Sequence, residues 1–199
     1  MCPTTLVVAR HGDAEYLESR FSDEGGSLTT EGRAQAAALA RSLSDRRVAH
    51  VWCSDTSRAV QTAEIVAAAL GVTVSVTPEL REVDIGHLRG QDFSTDAIHA
   101  VTDRWFDGDL AAGFDGGEDG AAVVARYATV LRAVADQCRG ETVLVVTHQT
   151  AGCIALPSLA RNVAPSYAEH HLLGNGESVE LVVDGDDWRL VRWGDRRFG

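Results

Sequence analysis

The apolar run Leu6-Val7-Val8-Ala9 stops abruptly at Arg10-His11-Gly12-Asp13. A short β-branched run of this kind reads as a buried strand, and an open α/β sheet places its ligands beyond the carboxyl ends of its strands. Arg10 offers a planar fork suited to phosphate oxygens. Gly12 is expected to let the backbone turn sharply and approach a bound anion. His11 then sits where a base, a nucleophile or a metal ligand would sit.

The same arrangement recurs along the chain. His50-Val51-Trp52-Cys53 is a second apolar run, and it ends in Ser54-Asp55-Thr56-Ser57-Arg58 at the start of a helical pattern running to Leu70. A helix N-terminus favours an anion, so Arg58 is placed to bind one. Residues 72–76 read as a third strand stopped by Pro78, and a loop dense in charge and glycine follows, from Glu79 to Gly90. Residues 143–146 form a fourth strand that ends at Thr147-His148, with a helix from Thr150 to Leu159.

Helical periodicity fills the intervals. Ala36, Leu39, Ala40 and Leu43 recur at helical spacing after a Thr29 or Thr30 cap, and Val123, Val124, Tyr127, Leu131, Val134 and Cys138 form one apolar face. Residues 92–115 are expected to hold one helix containing Trp105 and Phe106, and residues 14–27 a polar loop that walls the site. Residues 177–183 and 188–193 read as a hairpin on a sheet edge. The pattern predicts one domain over residues 1–199: a three-layer α/β sandwich with a mostly parallel central sheet and a C-terminal antiparallel hairpin.

Composition narrows the chemistry. A net charge of -11 argues against nucleic acid or an anionic membrane as partner, since both need a basic face. All 18 basic residues are arginine, which removes any lysine nucleophile or Schiff base. Cys2, Cys53, Cys138 and Cys153 lack metal-ligand or disulfide-framework spacing, so neither a zinc site nor a cofactor is indicated. The first apolar run is too short for a signal peptide, and a cytoplasmic location is expected.

Together, Arg10-His11-Gly12, the segment Ser54 to Ala63, the loop Leu80 to Gly90, Gly117-Glu118 with Arg126, and Thr147-His148 resemble the motifs of the histidine phosphatase superfamily, also called the phosphoglycerate mutase-like family. The resemblance covers nearly the whole chain. It implies a phosphoglycerate mutase-like fold, His11 as phosphate acceptor and Glu82 as proton donor. It further implies a phosphate pocket of Arg10, Arg58, His148 and Gly12, with no metal required. Spacing alone leaves Asp13 and Asp84 as competitors for the acid role. Asp13, Tyr16, His87 and Gln149 are further candidates to line the pocket. Two positions depart from the family pattern: Leu17 replaces an asparagine and Gln149 replaces a glycine.

Fixed guanidinium groups stabilise the charge that builds on phosphorus-bound oxygens during in-line attack by an imidazole, at about 1.5–3 kcal/mol for each charge-assisted contact. A carboxylic acid in a closed site protonates the departing alkoxide. Cofactor-dependent mutases of the resembled family usually have a longer segment than Gly90 to Gly116, so the resemblance implies a small-molecule phosphatase ahead of a phosphoglycerate mutase-type phosphotransferase. A phosphohistidine or phosphoprotein phosphatase, and an inactive binding protein on the same fold, are the remaining alternatives. The expected partner is a small-molecule phosphate ester, with the protein a monomer or homodimer. Acidic residues crowd residues 13–24 and 83–119, predicting an entrance that repels a second phosphate.

Overall fold

A computed structural model describes residues 2–16, 26–92 and 94–199. Strand β1 (Thr4–Arg10) is followed by a small ribbon of β2 (Ala14–Glu15) and β3 (Ser27–Leu28), then helix α1 (Thr30–Ser42). Next come β4 (Val48–Cys53), α2 (Ser57–Leu70), β5 (Val74–Val76) and two 3₁₀ turns, Pro78–Leu80 and Gly86–Leu88. Helices α3 (Thr95–Phe106) and α4 (Gly120–Gln137) lead to β6 (Thr142–Thr147) and α5 (Gln149–Leu159). After a 3₁₀ turn at Pro165–His170, strands β7 (Ser178–Asp184), β8 (Asp187–Trp193) and β9 (Arg196–Arg197) close the chain.

One seven-stranded sheet has the order β5-β4-β6-β1-β7-β8-β9. Strands β5, β4, β6 and β1 are parallel, and β7, β8 and β9 add on antiparallel beyond β1. Alternation along the strands sorts the core into two layers. Leu6 and Val8 of β1, with Val143 and Val145 of β6, pack against Tyr127 and Leu131 of α4 and Ala151 and Ala155 of α5. Val7 and Ala9, with Leu144 and Val146, pack against Leu39 of α1 and Ala63 and Val66 of α2. Burial on both faces explains why these strands are continuous apolar runs rather than alternating ones.

Several boundaries differ from the sequence expectation. The third strand begins at Val74, because the Val72 amide still donates to Ala67 at the end of α2. The segment 92–115 forms only the shorter helix α3, which Ser94 caps and which gives way to Gly108 in the left-handed region at φ 94°. Residues 14–27, expected as a loop, pair their two ends as β2 and β3, while Leu17 and most of the acidic stretch that follows it lie outside the described residues. All four cysteines are free thiols, with Cys53 and Cys153 buried.

Gly12 is required for a different reason than the sequence suggested. Its φ is not in the left-handed region, and a Cβ there would collide with the backbone carbonyl of Gly32 in α1. Gly32 is equally confined, because a Cβ on it would collide with the carbonyl of Asp13. Two glycines therefore let the turn after β1 lie directly on the first turn of α1. Gly32→Ala is expected to cost about 1–3 kcal/mol by overpacking a backbone contact that has no side chain to move. Urea unfolding checks this as a lower midpoint with an unchanged m-value.

Candidate active site

Sheet order brings the chemistry together. Strand β6 lies between β1 and β4, so the carboxyl ends of all three are adjacent: the His11 amide donates to Thr147 O at 2.9 Å and the Ser54 amide to Val146 O at 3.2 Å. Arg10 and His11 leave β1, His148 leaves β6, and Arg58 enters from the first turn of α2 after β4. The expected grouping of these four residues is present.

His11 is buried, and its two ring nitrogens are in different states. Nδ1 lies 2.8 Å from the carbonyl oxygen of Gly12, which can only accept, so Nδ1 carries the proton. Nε2 accepts from Arg58 Nε at 3.1 Å and keeps its lone pair on the side of the guanidinium. Burial, with Arg58 and Arg10 adding to it against the opposing Gly12 carbonyl, lowers the His11 pKa to about 3. His148 is fully buried with its ring centroid 5.2 Å from that of His11. Arg58 Nη2 donates to its Nδ1 at 3.3 Å, so its Nε2 donates to Ser54 Oγ at 2.7 Å. Burial and then Arg58 hold this ring neutral as well, well below the usual histidine range.

Arg10 donates from Nη1 to the carbonyl of Leu173 at 3.0 Å, and its buried Nε has no hydrogen-bond partner among the described residues. Burial lowers its pKa, with Glu82 as the main opposing charge. The Gly12 amide donates to Thr62 Oγ1 at 3.0 Å, so the expected contact from Gly12 to an anion is replaced by a bond within the protein.

Glu82 lies on the loop after the 3₁₀ turn Pro78–Leu80 and lines a cavity of about 280 Å³ that Arg58 also lines. Its Oε1 accepts from the amides of Ala151 at 2.7 Å and Val83 at 3.0 Å, and its Oε2 from that of Thr150 at 3.0 Å. The carboxylate thereby caps the first turn of α5, where the helix dipole favours it. Arg126 fixes the loop from behind: it pairs with Glu118 at 2.7 Å and donates to the carbonyls of Glu79 and Arg81 at 2.8 Å and of Glu82 at 3.2 Å.

The competing acids are engaged by other partners, although Asp84 lines the same cavity as Glu82. Asp13 Oδ2 accepts from Thr29 Oγ1 at 2.7 Å beside the α1 cap, and Asp84 accepts from Gly86 at 2.8 Å and Arg89 at 2.9 Å. The ring of Tyr16 lies 5.5 Å from the Arg58 guanidinium. His87 is exposed, pairs with Asp115 at 3.0 Å and does not line the cavity. Gln149 turns its amide to Leu173 O at 2.7 Å.

Glu18, Asp23 and Glu24 of the expected acidic entrance lie outside the described residues, and among the described residues the cavity is lined by both signs of charge. Arg58, Arg81, Arg89 and Arg126 line the cavity against Glu82, Asp84 and Glu118. Asp84 and Glu118 each bind an arginine, Arg89 and Arg126, while Asp55 just outside binds Arg81. Asp96 and Asp103 lie on α3, Asp109 pairs with Arg104, and Asp119 caps α4. Sequence reasoning had no role for Thr62, for the Leu173 carbonyl, or for Asn175, whose amide donates to the His11 carbonyl at 3.1 Å. The Gly174-Asn175-Gly176 turn signal before the hairpin was the available clue.

A profile of the histidine phosphatase superfamily (branch 1) matches residues 6–196. The chain belongs to this superfamily. Among its relatives, "Phosphoglycerate mutase-like protein 4" of Arabidopsis thaliana is 34% identical over 96% of this chain and 84% of its own length. A probable phosphoglycerate mutase of Cronobacter sakazakii is 31% identical over 94% of this chain and 89% of its own. Among solved structures, a mycobacterial glucosyl-3-phosphoglycerate phosphatase complexed with VO3 superposes with a TM-score of 0.78 at 25% identity, covering 96% of this chain and 99% of that one. A histidine phosphatase fold thus accounts for the layers and sheet described above. Among the described residues no helix is long and apolar enough to cross a membrane.

The buried neutral histidines carry a linkage consequence. The folded chain keeps His11 unprotonated to about pH 3, whereas the unfolded chain protonates it near 6.5. Between those values the unfolded state binds more protons, so stability falls as pH falls through the window. His11→Gln is therefore expected to lose less stability than wild type between about pH 6.5 and about pH 4.5, by about 2–3 kcal/mol. Denaturant titrations of both proteins at the two pH values measure the difference.

Proposed function

We propose that the protein is a metal-independent phosphatase that hydrolyses a small-molecule phosphomonoester through a phosphohistidine on His11. One observation carries the reading: Nδ1–H of His11 is held by the Gly12 carbonyl, so Nε2 is an unprotonated lone pair beside Arg58 in a site that keeps the ring neutral. An imidazole in this state needs no base before it attacks phosphorus.

The bond from Nε2 to phosphorus forms as the ester oxygen departs in line with it. Charge on the equatorial oxygens is met by Arg10 and Arg58, with the neutral His148 held against Arg58 by Ser54. Glu82 supplies the proton to the leaving oxygen. A carboxylate has about four lone-pair sites, and three of those on Glu82 are taken by amides, two on Oε1 and one on Oε2. The remaining site on Oε2 is where the proton is carried. In the second step a water attacks phosphohistidine, gives its proton back to Oε2, and returns His11 with free phosphate.

The named relatives favour one second reading, transfer of the phosphoryl group to another substrate hydroxyl instead of water. Phosphate release measured against isomer formation separates the two. With p-nitrophenyl phosphate, acid-labile phosphate is expected on His11 in rapidly quenched samples, and His11→Ala is expected to lose at least about 10³-fold in kcat. Activity that persists in EDTA is expected, since the arginines carry the charge stabilisation. Label on another residue, or activity restored only by a divalent ion, overturns the mechanism.

Glu82→Gln separates the acid from the rest of the site. It is expected to slow hydrolysis of an alkyl phosphate by about 10²–10⁴-fold and that of p-nitrophenyl phosphate much less, because nitrophenolate leaves without a proton. Equal losses on both substrates would show that Glu82 is not the proton donor.

A further inference from the structure

Arg10 presents a mechanical problem. Its guanidinium and that of Arg58 flank one neutral imidazole, and each charge disfavours the other. Glu82 is the main opposing charge at Arg10, but the lone pairs that three amides occupy on that carboxylate leave little of it for a direct bond. An uncharged acceptor holds Arg10 in place. The carbonyl of Leu173 accepts from Nη1 at 3.0 Å.

That carbonyl lies on a strap running from the 3₁₀ turn Pro165–His170 to β7, and the strap is tied at both ends. Downstream, Asn175 Nδ2 donates to His11 O at 3.1 Å and the Gly176 amide donates to Arg10 O at 3.2 Å. These bonds fix the backbone of Arg10 and His11. Upstream, the Leu173 carbonyl has a second lone pair, and Gln149 Nε2 donates to it at 2.7 Å. Gln149 is the first residue of α5, the helix whose next two amides hold Glu82. One helical turn thus anchors the acid through its backbone and the Arg10 acceptor through a side chain.

We propose that Gln149 is a positioning residue: its side-chain amide orients the Leu173 carbonyl, and through it the guanidinium of Arg10 toward the phosphoryl group. The assignment rests on the phosphate-pocket reading above. Gln149 does not touch phosphate in this account. Removing its donor leaves Arg10 charged and the Leu173 carbonyl present, but frees that carbonyl to turn and Arg10 to follow it.

The test compares wild type, Gln149→Met, Gln149→Glu, Arg10→Ala and the double variant Arg10→Ala/Gln149→Met. Calorimetry reads the affinity for orthophosphate, independently of turnover, and p-nitrophenyl phosphate reads kcat and KM. Gln149→Met keeps the length of the side chain without the donor. It is expected to weaken orthophosphate binding about fivefold and to lower kcat/KM about tenfold, the scale of one lost hydrogen bond acting through a charged group. Gln149→Glu, whose carboxylate repels the Leu173 carbonyl and attracts Arg10, is expected to lose at least as much. In the Arg10→Ala background the methionine substitution is expected to change either quantity less than about twofold, because its effect passes through Arg10.

An equal loss with and without Arg10 overturns the proposal, as does unchanged orthophosphate affinity in both Gln149 variants or the absence of any orthophosphate binding by wild type. A wild-type protein that binds orthophosphate with the expected Gln149–Arg10 coupling but hydrolyses no ester supports the positioning role and overturns the phosphatase reading alone.

Discussion

Everything at this site depends on keeping one imidazole neutral with its lone pair on Nε2. A protonated His11 between two guanidiniums would be a third positive charge in a buried space, and burial already opposes it. The Gly12 carbonyl settles the tautomer by accepting from Nδ1, and that carbonyl is where it is because Gly12 and Gly32 allow the backbone turn to rest on α1. A packing constraint between two glycines is in this way converted into the protonation pattern of the His11 ring. His148 shows the same economy: Arg58 takes one nitrogen and Ser54 the other, so the second ring is neutral with both its atoms used.

The helix N-termini are employed asymmetrically. Helix α2 brings Arg58 into the pocket from its first turn, adding a guanidinium where the dipole is already positive. Helix α5 spends its first amides on Glu82 and holds an internal anion. A carboxylate fixed by the backbone of a helix that begins beside His148 keeps a constant relation to the histidine pair. Arg126 reinforces that relation by gripping three carbonyls of the acid loop, so the loop is rigid on the side away from the cavity.

Much of this was legible in the sequence because it follows from local pattern. Runs such as Val143-Leu144-Val145-Val146 have to be buried on both faces, which fixes a parallel sheet with helices above and below, and the polar residues that end those runs have to meet at one edge. The grouping of Arg10, His11, Arg58 and His148 is a consequence of topology. What sequence could not supply was anything set by long-range backbone contact. The confinement of Gly12 by Gly32, the Thr62 hydroxyl on the Gly12 amide, and the Leu173 strap across Arg10 join segments with no shared periodicity. His87 was misplaced for a related reason: its loop is near the site, but its ring turns outward to Asp115.

Among the described residues, a sum of charge along the chain does not give the charge of a surface. Asp84, Glu118 and Asp55 each lie against an arginine, so the rim of the cavity is a set of dipolar pairs instead of a negative field. The more exposed pairs, Asp84–Arg89 and Asp55–Arg81, contribute little stability and are readily screened by salt, whereas Glu118–Arg126 is largely buried. Their consequence is local: a rim that presents donors and acceptors together can hydrogen-bond a substrate body without strongly attracting or repelling it. Arg58 joins that rim to the histidine pair, since it lines the cavity and donates to both His11 and His148.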